Sequence, residues 1–140
     1  IGCRSNKIPY TFLEWACNSI VNNDLLTLFN DYYTSPIYVR DLLVHIENLI
    51  NLNESGIYNI GCLGSYSKLD IVTKISSLMG IDYHNFIVGN VDMLNTKRSK
   101  NSGLSCKKLM QKYHTRNVPS QIPSIEATLN RALIEWRKYS

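Results

Sequence analysis

The chain has 140 residues, of which 44% are hydrophobic, and it carries a formal net charge of +4 at pH 7. This length suits one domain, and the hydrophobic fraction can form a buried core, which excludes an intrinsically disordered chain. No apolar run reaches the roughly 18 residues that a membrane-spanning helix needs, so we expect no membrane protein.

The N-terminal third of the chain predicts a helix, two extended segments and a second helix. Thr11 and Glu14 have the spacing of a capping box, preceded by Pro9, and the helix should end within residues 22–24. Residues 25–29 are an apolar run of strand length, and residues 36–39 are β-branched and aromatic. Asp41 should then cap a second helix, whose apolar stripe we expect in the core: Leu42, Val44, Ile46, Leu49 and Ile50.

The middle of the chain predicts a strand, a helix and another strand. Residues 56–61 read Gly-Ile-Tyr-Asn-Ile-Gly, which indicates a short buried strand between two glycines. Ser67 and Asp70 form a second capping box, and the helix that follows should run to Met79, with Gly80 at its end. Residues 83–88 predict a strand, and residues 90–103 a polar connection.

The C-terminal part predicts two helices separated by a proline-containing loop. Ser105 should cap a short helix that ends near Tyr113, and Ser124 should cap the last helix. The core face of that last helix is expected to be Ile125, Leu129, Ala132, Leu133 and Trp136. Helices that alternate with few short strands indicate an α/β fold.

Several kinds of site are not supported by the sequence. The cysteines form no C-x-x-C pair, so we expect buried thiols in a reducing cytosol rather than a zinc site or disulfides: Cys3, Cys17, Cys62 and Cys106. The histidines are too scattered for a metal site: His45, His84 and His114. No G-x-G-x-x-G or P-loop motif is present, and residues 61–65, which lack a third glycine, should only shape a loop.

Residues 98–109, which read Arg-Ser-Lys-Asn-Ser-Gly-Leu-Ser-Cys-Lys-Lys-Leu, are the most informative stretch. They place a guanidinium and an amide, from Arg98 and Asn101, in a polar loop that precedes a predicted helix. A guanidinium donates two parallel hydrogen bonds to phosphate oxygens, and a helix N-terminus favours the same negative charge. From the residues alone two interpretations stay open: an anion-binding loop, or a capped loop with a solvated arginine.

The same stretch resembles the R-P-x-N-S-x-L-x-x-x-K-L signature of dTDP-4-dehydrorhamnose reductases and related extended short-chain dehydrogenase/reductases. Four further segments resemble this family in the same order: residues 1–2 with 12–15, residues 31–42, residues 56–61 (the family's G-I-Y-N-x-G) and residues 67–68. The chain departs from the signature at Ser99, where the family usually has proline.

The resemblance implies that residues 1–140 are the C-terminal substrate-binding portion of a Rossmann-type protein, with an N-terminal cofactor-binding half upstream. It implies that Arg98, Asn101 and Ser102 bind a nucleotide-diphosphate sugar. NADP or NAD would be bound by the full-length protein and not by this chain. The family's glycine-rich loop and Tyr-x-x-x-Lys pair have no match here, so we expect no catalytic, cofactor-binding or metal-binding residue.

The function that the resemblance implies is that of a cytoplasmic NAD(P)-dependent sugar-nucleotide reductase of polysaccharide biosynthesis. The alternatives are a sugar-nucleotide epimerase or dehydratase, and a non-catalytic regulatory protein on the same fold. A homodimer is a further candidate assembly. The basic runs at residues 97–100 and 107–112 lack the aromatic motif or recognition helix of nucleic-acid-binding proteins, so we expect no nucleic-acid partner.

Overall fold

The computed structural model describes residues 1–2 and 11–139, so Cys3 and Pro9 lie outside the described residues. The described part is an α/β arrangement, as the sequence predicts. A single-turn 3₁₀ helix, Val91–Met93, connects two of its strands. In chain order its elements are α1 (Phe12–Asn22), β1 (Leu26–Phe29), β2 (Tyr33–Thr34), α2 (Val39–Asn51), β3 (Tyr66–Ser67), α3 (Lys68–Met79), β4 (Phe86–Gly89), β5 (Asn101–Ser102), α4 (Lys107–Thr115) and α5 (Ile125–Trp136).

Both predicted capping boxes are confirmed. The Thr11 hydroxyl accepts from the Glu14 amide at 3.3 Å, and the Glu14 carboxylate accepts from the Thr11 amide at 2.7 Å. The Ser67 hydroxyl accepts from the Asp70 amide at 3.0 Å, and the Asp70 carboxylate accepts from the Ser67 amide at 2.9 Å. Gly80 follows α3 with φ of 71°, a left-handed conformation that glycine adopts without a steric cost.

The predicted cap of α2 is wrong. This helix begins two residues before Asp41, with Tyr38 as an N-cap that makes no side-chain cap hydrogen bond. Asp41 instead lies in the first turn, where its carboxylate pairs with Arg131 of α5. A carboxylate in the first turn still interacts favourably with the positive end of the helix dipole. Asp41 therefore marks the start of the helix, but as a first-turn residue and not as its N-cap.

The other two predicted serine caps have opposite outcomes. Ser124 caps α5, and its hydroxyl accepts from the Ala127 amide at 3.2 Å. Ser105 does not cap α4, because this helix begins one residue later than predicted and its N-cap, Cys106, makes no side-chain cap hydrogen bond.

Two small sheets form in the described part of the chain. Strands β1 and β4 pair in parallel, with Leu26 opposite Phe86 and Phe29 opposite Gly89, which confirms strands within residues 25–29 and near 83–88. The second sheet has the order β3-β2-β5, in which β2 runs antiparallel to β3 and parallel to β5. These strands bring the segments around residues 33, 66 and 101 together.

Two predicted strands do not form. Residues 36–38 are not part of a sheet and lead directly into α2. Residues 56–60 pair with no described strand, and the side chain of Ile57 is 85% exposed, although Tyr58 and Ile60 pack partly against α4. A strand needs a partner for its backbone hydrogen bonds, and none of the described residues supplies one here.

The main core lies between α1, α3, α5 and β1. Its fully buried side chains include Leu13, Ile20, Leu28, Ile71, Val72, Ile75, Ile125, Leu129 and Leu133. A second cluster packs α4 against the end of α2 through Leu109 and Tyr113.

The predicted apolar stripe of α2 is wrong as a core face. Val44, Ile46 and Ile50 are exposed, while Leu42 and Leu49 are half-buried. The buried residue of this helix is His45, which is 2% exposed and stacks on Tyr113 of α4. The buried face of the helix is therefore centred on His45, with Leu42 and Leu49 beside it at helical spacing, and it is turned away from Val44, Ile46 and Ile50.

Two further expectations concern thiols and membranes. Cys17, Cys62 and Cys106 are buried, as predicted. Burial raises the pKa of the Cys62 thiol to about 11. No helix in the described ranges has the length and apolar character needed to cross a bilayer.

Candidate functional site

A cavity of about 340 Å³ opens beside the N-terminal ends of α1 and α3 and strand β1. Its walls combine aromatic rings with two cationic side chains. The lining residues are Phe12, Trp15, Thr27, Leu28, Phe29, Tyr32, Lys68, Val91, Leu94 and Arg98. An apolar cavity with a few polar groups that converge on it is the usual form of a small-molecule site.

The two capping boxes position adjoining parts of the cavity wall. Phe12 is the first residue of α1 and Lys68 is the first residue of α3, so each box fixes the start of one helix at the cavity. The Lys68 ammonium lies 4.0 Å from the centre of the Phe12 ring and 5.7 Å from that of Tyr32. Lys68 is half-buried, and this burial lowers the pKa of its ammonium.

Arg98 is the one predicted site residue that lines the cavity. It is exposed and belongs to the connection between the 3₁₀ helix and β5. This connection is held at its start by Asp31, whose carboxylate accepts from the Val91 amide at 3.0 Å. Its end is held by β5, so the guanidinium sits between two fixed points and reaches the cavity.

Asn101 and Ser102 lie elsewhere. Both form β5, which pairs with Tyr33 and Thr34 of β2, and both are exposed. The Asn101 side-chain oxygen accepts from the Gly103 amide at 2.9 Å, which gives this side chain a role in the turn. Neither residue is among the described residues that line the cavity with Arg98.

The helix that reaches the cavity is also different from the predicted one. We expected the Arg98 loop to face the N-terminus of the helix after Ser105. No residue of that helix, α4, is among the described residues that line the cavity, whereas Lys68 at the start of α3 is. The positive end of a helix dipole is therefore close to Arg98, but it comes from α3.

The loop of residues 61–65 has contacts that support its predicted loop-shaping role. The Ser35 hydroxyl donates to the Gly64 carbonyl at 2.7 Å and accepts from the Leu104 amide at 3.0 Å. A Cβ atom at Gly61 would lie 2.8 Å from the Ser35 carbonyl oxygen, so glycine is needed for this close approach. These contacts hold Gly61 and Gly64 against the segment that contains Ser35.

Sequence reasoning missed Lys68 and the aromatic lining as site residues. Phe12 and Lys68 appear in the sequence analysis only within helix starts and family-like segments, although the first residue of a helix is also where a bound anion would lie. Phe29 and Tyr32 flank the turn after β1, and only the parallel pairing of β1 with β4 brings them towards Val91 and Arg98.

No protein-family model and no curated protein sequence matches the chain. Solved structures do. dTDP-4-dehydrorhamnose reductase from Bacillus anthracis in complex with NADP is 26% identical, with a TM-score of 0.78, over 96% of this chain. The dTDP-4-dehydrorhamnose reductase from Clostridium acetobutylicum is 20% identical, with a TM-score of 0.76, over 93% of this chain. The dTDP-glucose 4,6-dehydratase from Bacillus anthracis in complex with NAD is 16% identical, with a TM-score of 0.69, over 97% of this chain.

The chain spans less than half the length of these structures. It covers 45% of each of the two reductases and 43% of the dehydratase. The predicted resemblance is confirmed at the level of structure: the neighbours of this chain are dTDP-4-dehydrorhamnose reductases and related extended short-chain dehydrogenase/reductases. The predicted fold class is confirmed with it.

Proposed function

We propose that this chain is the substrate-binding portion of an NADP- or NAD-dependent sugar-nucleotide reductase, and that its cavity holds the nucleotide diphosphate of the substrate. The observation that carries this proposal is the presence of Arg98 and Lys68 in one aromatic-lined cavity. The similarity to reductases whose names specify a dTDP-linked sugar supports the ligand class.

The chemistry of the cavity matches the two parts of such a ligand. A guanidinium such as that of Arg98 forms two parallel hydrogen bonds with a phosphate group. The rings of Trp15, Phe29 and Tyr32 offer apolar surface that a nucleoside base or ribose can cover. Under this proposal Asn101 and Ser102 act by shaping the loop that carries Arg98.

The chemical step is proposed to take place on a cofactor-binding portion upstream of this chain. There, a tyrosine of a Tyr-x-x-x-Lys pair would protonate the sugar carbonyl while the nicotinamide transfers hydride. The identity of 26% with a reductase, against 16% with a dehydratase, supports reduction over the alternatives. An upstream sequence without the Tyr-x-x-x-Lys pair would instead favour a non-catalytic regulatory protein.

An apolar surface supports the proposal that a second portion of the protein packs here. Leu43, Ile46 and Ile50 of α2 are exposed, and Ile57 in the segment after this helix is 85% exposed. Exposed apolar surface that exceeds scattered single side chains marks an interface. The unpaired segment 56–60 is suited to joining a sheet, because a strand with free backbone groups accepts a neighbour. We propose a cytoplasmic location on the separate ground that Cys62 and Cys106 are free thiols.

Removal of the Arg98 guanidinium tests the proposal. We expect Arg98→Ala to weaken thymidine diphosphate binding by roughly 10- to 100-fold, since a charge-assisted hydrogen bond contributes about 1.5–3 kcal/mol. Arg98→Lys should recover only part of this affinity, because an ammonium cannot donate two parallel hydrogen bonds. Asn101→Ala should cost less, since its side chain makes a neutral bond to Gly103.

The measurement is isothermal calorimetry on the 140-residue chain, with circular dichroism as the folding control. Lys97→Ala is the matched control, because Lys97 is an exposed cation next to Arg98 that does not line the cavity. If the parent chain binds no nucleoside diphosphate, the proposal is wrong. If Arg98→Ala folds normally and binds as tightly as the parent, Arg98 is a solvated loop residue.

A further inference from the structure

Lys68 differs from the other half-buried lysines of the described chain. Lys74 pairs with the Glu126 carboxylate at 2.6 Å, and Lys112 pairs with that of Glu54 at 3.0 Å. Within residues 11–139 no ion pair includes Lys68. The sequence of residues 3–10 contains no aspartate or glutamate. Among the described residues, Lys68 is therefore a partly dehydrated cation with no carboxylate partner.

The local structure makes this charge costly. Lys68 is the first residue of α3, where the positive end of the helix dipole disfavours a cation. Partial burial removes water from the ammonium. The rings of Phe12 and Tyr32 offset part of this cost through cation–π contacts. No described carboxylate pairs with Lys68, and the cavity that it lines has the space for a bound anion.

We propose that Lys68 is a second phosphate-binding residue of this cavity, which binds the diphosphate together with Arg98. This inference rests on the proposed nucleotide-diphosphate ligand and adds a residue to which the family signature gives no role. A diphosphate carries more than one negative charge, and two cations from different elements, α3 and the loop before β5, match it better than Arg98 alone. The ligand would supply the counter-charge that the protein does not.

Charge removal at Lys68 with a matched control tests this inference. Trp15 lines the cavity and Trp136 does not, so a Trp136→Phe background leaves Trp15 as the fluorescent reporter. In that background we expect Lys68→Met to weaken thymidine diphosphate binding by about 10- to 100-fold. Affinity for thymidine, which has no phosphate, should stay within about twofold. Lys74→Met, which removes a cation from the same helix outside the cavity, should leave both affinities unchanged.

The outcomes separate this inference from the proposed function. One outcome is that the parent binds thymidine diphosphate and that Arg98→Ala weakens this binding but Lys68→Met does not. Lys68 is then only a structural cation–π partner of Phe12, and the inference is overturned. If the parent binds no nucleoside diphosphate, the proposed function fails first and this inference with it. Lys68→Gln keeps a polar side chain of similar reach and replaces Lys68→Met if the latter does not fold by circular dichroism; the same loss of diphosphate affinity is expected.

Discussion

The buried pair between His45 and Tyr113 allows a quantitative test of how α2 is held against α4. The Tyr113 hydroxyl lies 2.9 Å from His45 Nδ1, and the two residues are 3% and 2% exposed. Tyr113→Phe removes the hydroxyl and leaves the imidazole nitrogen buried without this partner. An unsatisfied buried polar group costs about 1–3 kcal/mol, so the free energy of unfolding should fall by that amount. For a chain of this size, each kcal/mol should lower the melting temperature by roughly 3–4 °C.

A double-mutant cycle separates this hydrogen bond from the packing of the two rings. Urea titrations give the free energy of unfolding for the parent, for His45→Leu, for Tyr113→Phe and for the double variant, and these four values are compared. The double variant should lose less unfolding free energy than the two single variants lose together. In the double variant both polar groups of the pair are removed, so neither is left buried without its partner. Additive effects would refute the reasoning and show that the pair contributes no hydrogen-bond energy.

The pH dependence of stability provides a second test of the buried state of His45. Burial lowers the pKa of His45 below its usual 6.5, an effect that the nearby Asp41 carboxylate partly opposes. Below that usual value the unfolded chain binds a proton that the folded chain does not, so stability is lost as pH falls towards the lowered pKa. The slope from this one proton has an upper limit of about 1.4 kcal/mol per pH unit, and the slope should become flatter in His45→Leu. An unchanged slope in that variant would assign the dependence to other groups.

Two remaining predictions concern what the chain does not bind and what its apolar surface does. The 140-residue chain should show no saturable micromolar binding of NADPH by nicotinamide fluorescence, because its sequence has no glycine-rich phosphate loop; saturable binding would contradict this. The isolated chain should self-associate through the exposed face of α2, and Ile50→Glu with Ile57→Glu should shift it towards monomer in sedimentation velocity. Ile134→Glu, at an exposed position of α5, serves as the control. If it shifts the chain towards monomer as much as the other two substitutions do, association through the α2 face is excluded.

Features that depend on neighbours in sequence were determined by the sequence itself. The capping boxes at Thr11 and Ser67 and the glycine after α3 are formed by residues within four positions of one another, so local spacing specifies them. The cap at Ser124 and the extended backbone near residues 26 and 86 follow from equally local signals, whereas the parallel pairing of these two strands does not. The overall resemblance also came from the sequence, because several short motifs in a fixed order are specific together.

Features that depend on distant contacts were decided only by the tertiary structure. The apolar stripe of α2 indicates one buried face, but Tyr113, 68 residues away, covers His45 instead. Residues 56–60 have the composition of a strand, yet a strand forms only where another backbone can pair with it. Lys68 looks like any helix-start lysine in the sequence. It lines the cavity because the fold places it beside Phe12 and near Arg98. Burial and electrostatic partners are properties of packed neighbours, and the sequence pattern of a single element does not contain them.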